Sequence, residues 1–84
     1  MNWKYHLPKF KEILDRNNDE DDEAGSVKRT KAELIPFLRA EPAFKLLSMR
    51  VISALEEATT FHTFNQALAA VYDFADDSRI WLSL

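Results

Sequence analysis

The chain has 84 residues, of which 46% are hydrophobic and 12% aromatic, the composition of one small globular domain rather than of a disordered segment. It contains one glycine and no cysteine, which excludes a disulfide framework, a thiolate zinc site and the glycine-rich phosphate-binding loops. The formal net charge is −3, and residues 51–84 carry five acids against Arg79 alone, a distribution ill suited to holding a nucleic-acid backbone.

The opening MNWKYHLPKFKEIL has no uninterrupted apolar stretch of the kind a secretory signal needs, and nowhere do 18 apolar residues run together. A cytoplasmic location without membrane contact is the expectation. Leu7, Phe10, Ile13 and Leu14 recur at helical spacing, with Pro8 suited to a first turn, so a short first helix is predicted to end near Asn17 and Asn18. Residues 17–31 read NNDEDDEAGSVKRTK, five consecutive acids followed by three bases within four positions. Like charges in a row repel, so residues 17–29 are predicted to form an exposed, solvated acidic-to-basic loop.

Thr30, Lys31, Ala32 and Glu33 have the form of a capping box that would start a second helix. Pro36 conflicts with that start. It either kinks the helix or stands at the first position of one beginning near Ile35. Glu41 and Pro42 are predicted to open a third helix running to about Thr59, with Phe44, Leu47, Val51, Ala54, Leu55 and Ala58 facing inward. Leu46 and Met49, flanked by Ile52, fall on its polar side. Another helix is expected to cover them, and if it does not, they mark an interface. Thr63 and Gln66 form a second capping box. The helix after it is predicted to bury Phe64, Ala67, Leu68, Val71, Phe74 and Ala75, with Gln66, Asp73 and Asp76 outside. Residues 2–7 and 79–84 partly alternate polar and apolar side chains, which leaves room for a minor pairing of two terminal strands. The expected architecture is all-α: a single domain over residues 1–84, a bundle of three to four short helices.

Chemistry-bearing groups are sparse. An EF-hand register starting at Asp19 puts Ala24 at the sixth position, and one starting at Glu20 puts Lys31 at the twelfth, so neither supplies the calcium ligands. His6 and His62 are far apart in sequence, and no serine has nucleophile-elbow glycines beside it. No catalytic residue, metal site or cofactor is predicted, and the chain is read as a non-enzyme. Lys28, Arg29 and Lys31 are weak candidates for nucleic acid because acids precede them immediately. Asp73, Asp76 and Asp77 stand where a helix C-terminus disfavours anions by about 0.3–1 kcal/mol each. Capping by Asp77 or pairing with Arg79 would explain them structurally, and an acidic recognition surface would explain them functionally. The functional expectation is a small acidic protein–protein interaction module, an inhibitor of the immunity or antitoxin kind by analogy. Its partner-binding residues would be Asp73, Asp76, Asp77, Trp81, Leu46 and Met49. The alternative is a homo-oligomeric structural module that buries Leu46, Met49 and Ile52 against a copy of itself.

Overall fold

A computed structural model describes residues 7–16 and 20–77. Four α-helices and two single 3-10 turns account for nearly all of them, and there is no strand among the described residues. The all-α expectation therefore holds. The minor terminal pairing falls on residues 2–7 and 79–84, which lie outside the described residues except for Leu7.

Helix α1, Pro8–Arg16, forms as its spacing predicts, with Pro8 in the first turn and Leu7, Phe10 and Ile13 buried. The following segment differs from expectation. A 3-10 turn at Glu20–Asp22 leads directly into the longest helix, α2, which runs Glu23–Ala40 and absorbs most of the predicted loop. Asp22 is its N-cap, accepting a 3.2 Å bond from the Gly25 amide. Asp22 and Glu23 stand at the positive end of the helix macrodipole, so this part of the acidic run is stabilised where it stands despite mutual repulsion. Thr30 is consequently not a cap. It is buried inside α2, and its hydroxyl donates 2.8 Å to the Ser26 carbonyl one turn back.

Pro36 lies within α2, not at the start of a helix. It forfeits the bond that its amide would have made to Ala32. Both residues are exposed, so the lost bond falls on the solvent side of the helix. The helix ends at Glu41, whose amide donates to the Phe37 carbonyl at 2.9 Å.

The long third helix predicted from Glu41 to Thr59 is two elements. A 3-10 turn at Pro42–Phe44 buries Ala43 and Phe44, and α3 begins only at Met49, running to Glu57. Ser48 makes the break: its hydroxyl accepts from the Arg50 amide at 3.1 Å, the geometry of an N-cap. Restarting the helix there changes its facing. Ile52, Leu55 and Ala58 point inward, while Ala54, expected inside, is exposed. Helix α4, Phe61–Ala75, follows with Thr60 as N-cap in a capping box with Thr63, one turn earlier than the predicted box. Its predicted inner face is otherwise correct: Phe64, Ala67, Leu68, Val71 and Ala75 are buried and Phe74 is partly so.

Helix α2 is central and touches each of the other three. The core beside it is an aromatic cluster to which α1, α2, the second 3-10 turn and α4 contribute. Phe10 of α1 stacks on Phe37 of α2 at 6.0 Å between ring centres and meets the edge of Phe44 at 5.7 Å. Tyr72 of α4 lies 6.1 Å from Phe10 on another side. Such pairs add about 0.5–1.5 kcal/mol each beyond the area they bury. Polar contacts from α2 then fix the corner between α3 and α4. The Lys31 ammonium donates to the Glu56 and Ala58 carbonyls at 2.6 and 2.7 Å, capping the end of α3. Eight residues earlier, the Glu23 carboxylate accepts from the Phe61 amide at 3.1 Å, capping the start of α4. A cation thus meets a helix C-terminus and an anion a helix N-terminus, the signs the two dipoles favour.

Candidate functional site

The connection between α2 and α3 places apolar side chains on the surface. After the 3-10 turn, Lys45 and Leu46 form a tight turn whose amides are satisfied locally: Lys45 donates to Pro42 at 3.2 Å and Leu47 to Phe44 at 3.0 Å. Ala43 and Phe44 are buried in the core, and Lys45 and Leu46 after them face out. Leu46 is 82% exposed and Met49 65%, contrary to the expectation that another helix covers them. Ile52, grouped with them from the sequence, is buried in the chain's own core. Nothing among the described residues crosses the outer side of α3 at that level, because α2 and α4 both lie on its inner side.

Beside these two side chains runs a groove of about 410 Å³ with Leu38, Phe44, Leu47, Met49 and Ile52 among its lining. Its floor belongs to the core, since Leu38, Phe44 and Ile52 are themselves buried core residues. Glu41 and Lys45 stand on its rim with Arg39. Arg39 is engaged by Glu56 at 2.6 Å, whereas Lys45 is in no ion pair among the described residues. The sequence reading missed Glu41 and Lys45 because it set them in one continuous helix. Ser48, followed by four residues of helical character, was the signal that could have separated them.

No protein-family model, curated protein or solved structure matches the chain.

The last turn of α4, where the acidic candidates stand, meets the second 3-10 turn through one ring contact. Phe74 of α4 lies 6.0 Å from Phe44 between ring centres, which sets the last turn of α4 next to the turn carrying Leu46. Asp73 is exposed there, and Asp76 is the exposed C-cap residue whose amide donates to Tyr72 at 2.8 Å. Asp77 is partly buried, and its amide closes the final turn onto Phe74 at 3.2 Å. Trp81 and Arg79 lie outside the described residues.

The basic candidates do not share one task. Lys31 is committed to the carbonyls that end α3, and Arg29 pairs with Asp22 at 3.6 Å, leaving Lys28 exposed beside them. His62 is exposed in the first turn of α4, and His6 is outside the described residues. A second cleft, about 530 Å³, lies along α3 and α4 over Ala54, Ala58, Ala67 and Ala70, with Arg50 and Glu57 at its border. The Tyr72 hydroxyl is held above its ordinary pKa of 10.0, first by burial and then by the nearby Asp15 carboxylate. Among the described residues no helix is long and apolar enough to cross a membrane.

Proposed function

We propose that this chain is a protein–protein interaction module that binds through the surface carrying Leu46, Met49, Asp73, Asp76 and Asp77. The observation that carries the reading is the exposure of Leu46 and Met49 beside an apolar groove floored by core residues. Leaving two large apolar side chains in water together forgoes about 1.5–3 kcal/mol each of burial, and such patches mark contact surfaces. The acids at the end of α4 act against stability, since they face the negative end of that helix's dipole. Long-range attraction to a basic protein surface gives them a use: it speeds encounter, and the apolar contacts then hold the complex. The action is occlusion or scaffolding, with no covalent chemistry required of the module.

The test is affinity capture from source cells with three tagged forms: wild type, Leu46→Asp, and the pair Asp73→Asn with Asp76→Asn. Wild type is expected to retain one protein at near-equal stoichiometry after nuclease treatment. Leu46→Asp should lose it. The double asparagine form should retain it more weakly and with less dependence on salt, while melting at the same temperature or a little above. Undiminished capture by Leu46→Asp would refute the reading.

A further inference from the structure

The patch around Leu46 has the composition of a surface that recognises itself. An interface between identical copies related by a two-fold axis requires that each patch hold both a projection and the recess that receives it, and both signs of charge. Leu46 is the projection, standing out between Lys45 and Leu47, which both line the groove. The groove is the recess, and its volume of about 410 Å³ is ample for an aliphatic side chain; apolar cavities of about 150 Å³ already admit benzene. Lys45 accompanies the projection, and Glu41 stands on the rim of the recess. Among the described residues neither is neutralised: Lys45 is in no ion pair, and the Glu41 carboxylate has only a long 3.5 Å contact with the Ala43 amide.

We propose that the groove's occupant is a second copy of this chain, docked about a two-fold axis so that Leu46 of each copy enters the groove of the other and each Lys45 meets the other copy's Glu41. This names the partner of the apolar part of the site described under Proposed function, Leu46 and the groove, and rests on the reading of that part as a protein contact; the acids of α4, which a second copy of net charge −3 would not attract, take no part in it. A foreign partner would need only one member of each pair on this surface. Both members are present.

The experiment is sedimentation equilibrium of the purified full chain from about 10 µM to about 1 mM, where small interfaces associate. The mass of wild type is expected to rise from one chain toward two. Lys45→Glu and Glu41→Lys should each weaken association by at least about tenfold, because like charges then face one another. Combining the two should restore it, and Leu46→Asp should be monomeric throughout, with circular dichroism showing every variant folded. A wild-type chain that stays monomeric at the highest concentration overturns the proposal, as does a double variant no better than its parents. A monomeric wild type that still captures a different protein in a Leu46-dependent way overturns only the second copy as occupant. Failure of both association and capture overturns the interaction module as well.

Discussion

Replacing Gly25 with alanine is expected to leave stability nearly unchanged in the wild-type chain, yet to raise it by about 1 kcal/mol once Asp22 is already alanine. The Gly25 backbone is not in the left-handed region, so the substitution brings no backbone strain. The obstacle is the cap itself. A methyl group at Gly25 would collide with Asp22 Oδ2 and stand 2.8 Å from Oδ1, so the capping carboxylate has to swing away. Alanine gains about 0.8–1 kcal/mol over glycine in a helix, and losing an aspartate N-cap costs about 0.5–2 kcal/mol, so the two effects nearly cancel. Loss of the exposed Arg29–Asp22 ion pair adds little. In Asp22→Ala the clash is gone, only the helix gain remains, and the coupling between the sites is about 1 kcal/mol. Urea denaturation of the four proteins, followed by circular dichroism with a common m-value, measures that coupling directly. Equal stabilisation by Gly25→Ala in both backgrounds would show that the Asp22 carboxylate does not cap α2 over the bare glycine, and the account of the acidic run would fall with it.

Two further outcomes follow from the polar contacts. Lys31→Met should lower stability by about 1–2 kcal/mol, because it uncaps the end of α3, whereas Lys28→Met should change it by less than about 0.5 kcal/mol; equal effects in urea titrations would remove the capping role. The raised pKa of Tyr72 means that its neutral form is favoured by folding, so its contribution is complete below about pH 10 and is lost as pH rises through the folded value. Unfolding midpoints of wild type should therefore fall more steeply above pH 10 than those of Tyr72→Phe, and parallel curves would refute the burial of that hydroxyl.

Helices α1 and α4 were readable because each carries an unbroken apolar stripe at helical spacing; Pro8 marked the start of α1, whereas the start of α4 at Thr60 was read one turn late, at Thr63. The acidic run misled for a physical reason. Seen along the chain, its five carboxylates have only one another as neighbours, and repulsion decides. In the fold, Asp22 faces an amide three residues on, and Glu23 faces the Phe61 amide, 38 residues downstream. Lys31 was likewise read with its sequence neighbours alone, as one of three solvated bases and a weak candidate for nucleic acid; in the fold its ammonium is held by two carbonyls at the end of α3. Leu46 and Met49 were read on the polar side of one long helix, whereas Leu46 stands in the turn before α3 and Met49 at its first position; a helical wheel, moreover, holds no information on whether a neighbour covers its far side.

Composition and periodicity by themselves determined that this is a helical domain with its core on Phe10, Leu55, Phe64, Leu68 and Val71, because burial of apolar side chains at 3.6-residue spacing is a local demand that few arrangements satisfy. Tertiary structure decided which charged groups became helix caps and which apolar groups stayed in water. Both depend on contacts between segments distant in the chain: a carboxylate is a cap only where a helix start is brought to it, and a leucine is a contact surface only where no other helix arrives.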